Sequence, residues 1–411
     1  MDRPKVVVVN GVELQTTVVF DTFFRWCAER QAIDKRKRAG EPAPWTQDKI
    51  LRNYKFTNVY PVSDRGSQFL IKSVIEKGSQ EPVDVLFRIL LYQAFARPST
   101  FELIEKHCSP LTWANYSREK IAPLLKKVNK SKTAVFTAAY QNLPPPFDEE
   151  KTQIDRALRL VEVLMDRDFL GELAQVEYFG EVYEILTTYQ NFGPFHSFQM
   201  MRALSYTNII HFHRNDWAIA GPGTVSGMRK MFGDSFSQTT DLDFQLSIMR
   251  WFVDNAPAQF QRLGLEFDGL GPDHLPLSVI DVEHAICEVD KYARLAHPKI
   301  KGTKERKSIK ACYKVKEGSG EGKVEPMRLP KAWDNPKSKV ERICPRPIVA
   351  SETRYIVEKI LGHETDKNGK IKYIIKWEGY LKTSKEPKEH LDGAMDMLRE
   401  YRAKKGLPAL K

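Results

Sequence analysis

Long apolar runs and paired cysteines are missing from this sequence. The strongest apolar run near the start, Val6–Val9, is far too short for a membrane span or a signal sequence. The five cysteines are scattered, and no two of them form a Cys-x-x-Cys pair. A disulfide framework and a zinc site are therefore not indicated. We expect a soluble intracellular protein in a reducing compartment, with no membrane partner.

A phosphate-binding loop is also missing. The most similar segment, Gly318–Lys323, has only three residues between its outer glycines, no Ser or Thr after the lysine, and no strand before it. Because it does not fit the P-loop pattern, phosphorylation of a substrate by this chain alone is not expected. The sequence has no His-Glu-x-x-His motif, and His211 and His213 would point apart on a helix. No metal and no cofactor is predicted.

The chain is long and basic. Its 411 residues have room for two or three domains, and hydrophobic and aromatic contents of 42% and 11% allow a sizeable core. The formal net charge is +11, from 64 basic and 53 acidic residues. Such a charge fits a polyanionic partner such as nucleic acid, but also an ordinary basic surface with solvated lysines.

The N-terminal part of the chain is predicted to form a hairpin followed by helices. Two β-branched runs flank Asn10-Gly11, a dipeptide typical of type I′ turns, which predicts a hairpin over residues 1–20. Asp21 can cap the next helix, and Thr46 can cap another that runs to Asn53. Apolar residues at helical spacing predict further helices around residues 83–95, 154–165 and 198–209. We therefore expect a helical domain over residues 21–298.

A basic segment follows the helical domain. Residues 299–346 contain 15 Lys and Arg against 6 Asp and Glu, with several prolines and glycines and little periodicity. This composition predicts a flexible linker over residues 299–350. The segment is either a solvated tether or a contributor of sequence-independent affinity for DNA or RNA.

The end of the chain carries an ordered series of motifs. They are Tyr355-x-Val357-Glu358-Lys359-Ile360-Leu361, Tyr373-x-x-Lys376-Trp377-x-Gly379-Tyr380 and Glu386-Pro387-x-x-x-Leu391. A hairpin turn is predicted at residues 367–370 and a closing helix from about Ala394 to Tyr401. This order closely resembles the chromodomain of heterochromatin-protein and Polycomb-type readers, which we expect over residues 351–405.

The resemblance implies a methyl-lysine cage. In chromodomains three aromatic side chains surround a methylated lysine of a histone tail, and by position they are Tyr355, Trp377 and Tyr380 here. A methylated ammonium keeps its charge and is attracted to the faces of the rings. The loop after Tyr380 is shorter than usual, and Lys385 stands where an aromatic often precedes Glu-Pro. The alternative is a chromo-like barrel that uses these aromatics as core and binds no methyl-lysine.

A glycine-rich turn lies between two predicted helices. Gly221-Pro222-Gly223 is followed by Gly227 and Lys230. In a helix-hairpin-helix, such glycines let backbone N–H groups approach a DNA phosphate, and a basic residue adds a charged contact. Gly221, Gly223, Gly227 and Lys230 are therefore candidate DNA-binding residues. The alternative is an ordinary turn between two packed helices.

An acidic motif farther along the chain fits the same interpretation. Helix-hairpin-helix DNA glycosylases carry a catalytic Asp after the hairpin in a Val-Asp-x-His-Val context, and Ile280-Asp281-Val282-Glu283-His284 is similar. The spacing from the turn, about 50 residues, is longer than usual. Asp281 is the candidate acid, base or nucleophile, and a helix cap is the alternative.

Four segments, taken in order, resemble a known family. They are Phe56–Arg65, Phe87–Phe95, Ala220–Lys230 and Ile280–Tyr292, with shorter matches from about Thr22 to Lys310. They are similar to the helical domain associated with 5-hydroxymethyl-deoxyuridine DNA kinases, also described as α-glutamyl/putrescinyl thymine pyrophosphorylases. The resemblance implies a domain that embraces duplex DNA and acts on an extruded thymine-type base.

The same resemblance implies roles for individual residues. The catalytic candidate is Asp281, with Asp64 behind it, and the candidate phosphate contacts are Arg65, Arg88, Lys291 and Arg294. For each basic residue, a surface charge or a helix-pairing charge is the alternative. Pro61 departs from the family, which tends to have an arginine after the Tyr.

The sequence thus predicts a mainly α protein, with a glycosylase-like helical domain that carries an N-terminal β-hairpin. A small C-terminal chromodomain, with a three-stranded curved sheet and one helix, completes it. We expect a nuclear, chromatin-associated protein that binds a methylated histone tail and DNA. Enzymatic activity and oligomeric state stay open. The alternatives are a non-catalytic chromatin adaptor and a targeting protein derived from a mobile element.

Overall fold

The chain forms two compact units, each assembled from distant stretches of sequence. The computed structural model describes residues 2–137, 147, 150–190, 192–236, 241–303, 306–313, 325–367, 369–408 and 410. The first unit comprises Met1–Val85, Leu173–Glu184 and Ser197–Val349. The second comprises Leu86–Glu172, Ile185–His196 and Ala350–Lys411.

Helices make up most of the regular structure, which confirms the predicted mainly α class. The helices are α1 Val18–Arg38, α2 Lys49–Asn53, α3 Arg65–Phe69, α4 Pro82–Phe95, α5 Pro98–His107, α6 Arg118–Lys130, α7 Gln153–Asp166, α8 Phe169–Ala174, α9 Phe179–Thr187, α10 Pro194–Leu204, α11 Pro222–Phe232, α12 Leu242–Arg262, α13 Val279–Ala296 and α14 Met395–Lys404. The strands are β1 Val6–Val9, β2 Val12–Gln15, β3 Val357–Thr365, β4 Ile371–Trp377 and β5 Thr383–Glu386. A π-helical stretch, Leu70–Ile75, continues α3, and short 3-10 turns occur at Pro61–Ser63, Gly233–Ser235, Lys331–Asp334, Pro336–Lys339 and Lys388–Ala394.

The N-terminal hairpin forms where the sequence predicts it. Strands β1 and β2 pair antiparallel, with Val9 opposite Val12. Asn10 and Gly11 have φ angles of +45° and +78°, the left-handed pair that a type I′ turn requires. Alternate residues of β1 are buried, as expected for a strand with one face on the core.

Helix α1 begins at Val18 and not at Asp21. The Thr17 hydroxyl caps it by accepting a hydrogen bond of 3.1 Å from the Val19 amide. Asp21 lies in the first turn, where its carboxylate pairs with Arg262 of α12. Thr and Asp both cap helices well, so the residue type alone did not decide which of them starts the helix.

Helix α2 is capped by Asp48 and not by Thr46. The Asp48 carboxylate accepts hydrogen bonds from the amides of Ile50 and Leu51 at 2.7 and 2.9 Å. The Thr46 hydroxyl accepts instead from the Asp48 amide at 3.0 Å. Thr46 therefore fixes the turn before the helix, and the helix begins two residues later than that cap would place it.

Aromatic rings of α1 and α12 form the core of the first unit. Phe20, Phe23 and Phe24 of α1 are fully buried, and their ring centroids lie 4.7 to 5.7 Å from that of Phe252 on α12. Helix α13 packs against α1, α11 and α12. This bundle positions the predicted catalytic and glycine-rich segments.

The apolar faces predicted from helical spacing correspond to α4, α7 and α10, except that α10 ends at Leu204, so residues 205–209 of the predicted third helix lie beyond it. On α4 the predicted residues are buried, apart from Val83, which is 37% exposed. Pro98 occupies the first position of α5. Within the described residues, no helix is long and apolar enough to cross a membrane.

The C-terminal strands form one antiparallel sheet in the order β3-β4-β5. Irregularities between Val357 and Lys359 and between Ile360 and Gly362 bend β3 against β4. Helix α14 covers the sheet, and the core contains Ile360, Tyr373, Ile375, Leu391 and Leu398. The predicted three-stranded sheet with one closing helix is confirmed. Of its hairpin turn, Asn368 lies outside the described residues.

The predicted linker is partly packed. Residues 325–349 belong to the first unit, where Ala332 and Ile348 are buried. The ring of Trp333 lies 5.9 Å from that of Tyr206. The glycine-rich stretch Gly318–Lys323 lies outside the described residues. The described part of this basic segment therefore contributes to a folded unit, which its composition did not indicate.

Candidate functional site

Tyr355, Trp377 and Tyr380 come together at one end of the C-terminal sheet. The ring centroid of Tyr355 lies 5.9 Å from that of Trp377, with an interplanar angle of 62°. It also lies 5.9 Å from that of Tyr380, at 72°. The Tyr355 side chain is 51% exposed. Trp377 and Tyr380 are partly buried, and Trp377 also packs against the hydrophobic core of the sheet. The three rings thus form an aromatic corner that is open to solvent at Tyr355.

Local hydrogen bonds hold two of these rings in place. The Trp377 indole N–H donates to the Ser384 hydroxyl of β5 at 2.8 Å. The backbone amide of Tyr380 donates to the Trp377 carbonyl at 3.1 Å, and Lys376 Nζ donates to the Tyr380 carbonyl. The Trp377 ring and the backbone of Tyr380 are therefore fixed within the chromodomain. Such an arrangement suits a methylated ammonium, which ring faces attract.

Lys385 takes part in an ion pair across the sheet. It lies on β5 opposite Ile374 of β4, and its Nζ is 2.8 Å from a carboxylate oxygen of Glu364 on β3. Both side chains are more than half exposed, so the pair contributes little to stability. The lysine at this position, where chromodomains often have an aromatic residue, does not separate the three aromatic rings.

Asp281 is buried near the start of α13. It occupies the third helical position of a capping box, in which its Oδ2 accepts from the Ser278 amide at 2.9 Å. The same oxygen lies 3.1 Å from Arg214 Nη1. Burial raises the pKa of Asp281 above its ordinary value, although Arg214 acts in the opposite direction. The Asp281 carboxylate is therefore held by Ser278 and Arg214.

Asp64 lies close to the same part of α13. One of its oxygens accepts from the Asn58 amide at 2.8 Å, and the other lies 3.6 Å from His284 Nε2. His284 follows Asp281 by three residues, which places both on one side of the helix. Burial raises the pKa of Tyr206 to about 12, and the charges of Asp281 and Asp64 both contribute. The structure thus brings the two predicted catalytic carboxylates into one cluster.

The three glycines of the predicted DNA-binding turn face α13. The Gly221 amide donates to Glu283 Oε1 at 3.1 Å. A Cβ atom on Gly223 would come within 2.3 Å of Cys287 Sγ, and one on Gly227 within 2.7 Å of the Ile286 carbonyl oxygen. These glycines therefore permit α11 to pack closely on α13, the alternative that the sequence left open. A role in binding phosphate stays a prediction.

Lys230, Lys291 and Arg294 are each paired within the protein. Lys230 is 3% exposed, and its Nζ lies 3.0 Å from Asp290 Oδ1. Arg294 contacts the other oxygen of Asp290 at 2.7 Å, and Lys291 contacts Glu288 at 2.6 Å. A DNA phosphate would have to compete with these carboxylates for each of the three cations.

Arg65 and Arg88 lie in contrasting surroundings. Arg65 is exposed at the first position of α3, and it has no ion pair within the described part of the chain. Arg88 is 3% exposed on α4. Arg65 can therefore meet a phosphate without rearrangement, whereas Arg88 lies beneath the surface of the second unit.

A cleft of about 240 Å³ opens in the first unit, between α1, the segment that follows Phe56 and the loop around Gly269. Its wall includes Arg30, Asn58 and Tyr60, but none of the residues predicted to be catalytic. Arg30 Nη1 and Asn58 Oδ1 are buried and have no hydrogen-bond partner among the described residues. Both residues line the cleft, but these two atoms lie beneath its surface.

Two family models match the chain. The one described as "5-hmdU DNA kinase, helical domain" matches residues 17–302, well over half of the chain. The chain belongs to this family. The second, described as the Chromo (chromatin organisation modifier) domain, matches residues 355–404, so the C-terminal module is a chromodomain.

The 5-hmdU DNA kinase helical domain also relates this chain to a phage protein. A "5-hmdU DNA kinase" of Bacillus phage SP10 is 26% identical over 296 residues. The alignment covers 67% of this chain and 45% of the phage protein, so the chain spans less than half the length of that relative. No solved structure shows a significant match.

Sequence reasoning missed several partners of the helical-domain residues. The pattern Ser278-x-x-Asp281 is a capping-box signal that was visible in the sequence. Arg214, which pairs with Asp281, lies 67 residues earlier in the chain, and no local pattern links the two. Arg30 and Asn58 gave no signal either, because only the folded arrangement brings them to the wall of one cleft.

Proposed function

We propose that this protein is a nuclear chromatin reader whose chromodomain binds a methylated lysine of a histone tail. The observation that carries the proposal is the aromatic corner, in which Tyr355 lies 5.9 Å from both Trp377 and Tyr380 with steeply inclined ring planes. A methylated ammonium placed there would meet several ring faces. Each well-placed contact contributes about 0.5–2 kcal/mol.

Binding of a trimethyl-lysine histone-tail peptide to the full chain tests this proposal. We expect a dissociation constant in the micromolar range by isothermal titration calorimetry, and no measurable binding by Trp377→Ala. Tyr355→Ala should weaken binding strongly. Leu361→Ala is its matched control, because Leu361 and Tyr355 are both 51% exposed and Leu361 lies outside the aromatic corner. Equal affinity for methylated and unmethylated peptides would contradict the proposal.

We further propose that the helical domain handles DNA and acts on a thymine-type base. The family of the domain and the name of the phage relative support this proposal. A non-catalytic chromatin adaptor remains the second candidate, since Asp281 is engaged by Ser278 and Arg214.

Nucleoside mass spectrometry after incubation with duplexes that contain thymine or hydroxymethyluracil separates these two candidates. The catalytic candidate predicts a new nucleoside with the wild-type chain and none with Asp281→Asn or Asp64→Asn. Ser278→Ala is the control, because it weakens the same capping box but keeps the Asp281 carboxylate. Equal loss in Ser278→Ala and Asp281→Asn would assign Asp281 to structure, and no product with any duplex would favour the adaptor.

A further inference from the structure

Tyr380 of the aromatic corner is held by residues outside the chromodomain. In the second unit, its ring centroid lies 6.3 Å from that of Phe147, at an interplanar angle of 55°. Its hydroxyl donates a hydrogen bond of 3.3 Å to Gln190 Oε1. Phe147 is 1% exposed and Gln190 is 6% exposed. Both precede the chromodomain by more than 150 residues, and neither can touch a ligand from its buried position.

Gly379 lets Phe147 approach the turn that carries Tyr380. Its φ angle is +79°, and a Cβ atom there would come within 2.2 Å of Phe147 Cδ1. A glycine is therefore required twice at this position, once for the backbone conformation and once for the contact. Gly369, in the hairpin turn of the same module, has a similar φ of +76°, but a Cβ atom there would meet nothing within 4 Å.

Other contacts tie the two sides of the corner to the same part of the second unit. Glu378, two residues before Tyr380, pairs with Arg159 of α7. On the other side, the amide of Arg354 donates to the Thr188 carbonyl at 2.7 Å. Arg354 directly precedes Tyr355. The backbone next to each tyrosine of the corner is therefore attached to residues outside the chromodomain.

We propose that the methyl-lysine cage of this protein is a composite site, in which Phe147 and Gln190 are positioning residues that set the orientation of Tyr380. This inference rests on the proposed reader function. Fixing an aromatic side chain before binding lowers the conformational cost of binding, and the gain is specific to the ligand that this ring contacts. Loss of Phe147 or Gln190 should therefore weaken the binding of the methylated side chain more than the binding of the peptide backbone.

Substitution of Phe147 in the full chain tests the inference. We expect Phe147→Ala to weaken trimethyl-lysine peptide binding roughly tenfold and to leave the weak binding of the unmethylated peptide unchanged. Phe147→Leu should restore most of the affinity because it fills the space beside Gly379. Unchanged affinity of Phe147→Ala for the trimethylated peptide, with wild-type circular dichroism, would overturn the inference.

The two glycines provide a matched pair that separates contact from backbone strain. Gly379→Ala and Gly369→Ala introduce the same methyl group at nearly the same φ angle, so strain alone predicts similar losses. The inference predicts that Gly379→Ala loses trimethyl-lysine affinity and that Gly369→Ala keeps it. Gly379→Ala should cost less in the Phe147→Ala background than in the wild type, because only the backbone strain at residue 379 is left there. Equal effects of the two glycine substitutions would contradict it.

A second pair decides the matter if Phe147→Ala does not fold. Tyr380→Phe and Gln190→Leu each remove one end of the same hydrogen bond, so the inference predicts equal losses of affinity and no further loss in the double variant. Additive losses would overturn it. A wild-type chain that does not distinguish methylated from unmethylated peptide contradicts the reader function itself. If the wild-type chain does distinguish the two peptides but the variants bind like the wild type, only the composite-site inference fails.

Discussion

Replacing Gly223 by alanine tests whether the glycine-rich turn serves helix packing. The new Cβ atom would come within 2.3 Å of Cys287 Sγ on α13, well inside the contact distance of the two atoms. Overpacking of this kind usually costs about 1–3 kcal/mol. The higher helix propensity of alanine offsets up to about 1 kcal/mol of that cost. We expect a net destabilisation of about 1–2 kcal/mol.

The partner of the clash can be removed as well. Cys287→Ala deletes the Sγ atom and leaves the Cβ atom of residue 287 at 3.4 Å from the new methyl group, an ordinary contact. The double variant should therefore recover most of the stability that Gly223→Ala loses, with a coupling free energy of about 1 kcal/mol or more. Cys287→Ala alone is the reference for the lost sulfur atom.

Thermal unfolding followed by circular dichroism measures the effect. For a unit of this size, 1 kcal/mol shifts the midpoint by about 2–4 °C, so Gly223→Ala should unfold several degrees below the wild type. Gly227→Ala should be worse, since its new methyl group meets the backbone carbonyl of Ile286, which cannot rotate away. A neutral or stabilising Gly223→Ala would refute the packing argument, as would purely additive effects in the double variant. Loss of DNA affinity in a double variant with restored stability would instead support the predicted phosphate contact.

Three further predictions concern buried polar groups of the first unit. Lys230→Met should destabilise the protein by about 1.5–3 kcal/mol in chemical denaturation, because it removes one charged partner of the buried Asp290 carboxylate, which keeps Ser226 and Arg294; a smaller loss would contradict a stabilising buried pair. Thr17→Ala should cost about 1 kcal/mol through the lost cap of α1, and an unchanged midpoint would show that the cap is replaced. Burial raises the pKa of Asp216 from 3.8 to about 6, although hydrogen bonds from the backbone amides of Arg342 and His213 act to lower it. The contribution of this carboxyl to stability is therefore full below pH 3.8 and is lost as the pH rises through about 6, by up to about 3 kcal/mol. Asp216→Asn should flatten that part of the stability profile, and an unchanged profile would show that Asp216 does not titrate there.

At acid pH, Asp290 changes the stability of the protein in the opposite direction. Burial acts to raise the pKa of Asp290, but hydrogen bonds from Ser226 and Arg294 outweigh it and hold the pKa below its ordinary value. Its contribution is therefore present above the unfolded pKa and is lost as the pH falls through the folded value. The Asp216 comparison should accordingly be made between wild type and variant at each pH, so that the Asp290 term cancels.

Local patterns determined most of the secondary structure and all of the chromodomain motifs. Asn10-Gly11 defined the hairpin because few other dipeptides adopt two left-handed residues in succession. Apolar residues at helical spacing located α4, α7 and α10, since only one face of each helix can be buried. The sequence also indicated which three aromatics form the corner, through the resemblance of its motifs to those of chromodomains and not through a local structural rule.

Tertiary structure alone decided what surrounds these residues. Asp281 and Asp64 are separated by more than 200 residues, and the packing of α13 brings them to one cluster with His284 between them. The basic residues predicted to bind DNA were identified by charge, and the pairing of Lys230 with Asp290 is visible only where α11 meets α13. Lys291 and Arg294 instead pair with Glu288 and Asp290 three and four residues earlier on α13, a spacing that the sequence itself contains.

The difference has a physical reason. Turns, caps and amphipathic faces depend on interactions within a few residues, so the sequence by itself specifies the hairpin, the helices and the chromodomain. Ion pairs, close glycine contacts and the support of Tyr380 by Phe147 depend on distances between segments that are remote in sequence. The resemblance to chromodomains thus indicated from the sequence which aromatic residues come together, and only the tertiary structure places Phe147 and Gln190 against Tyr380.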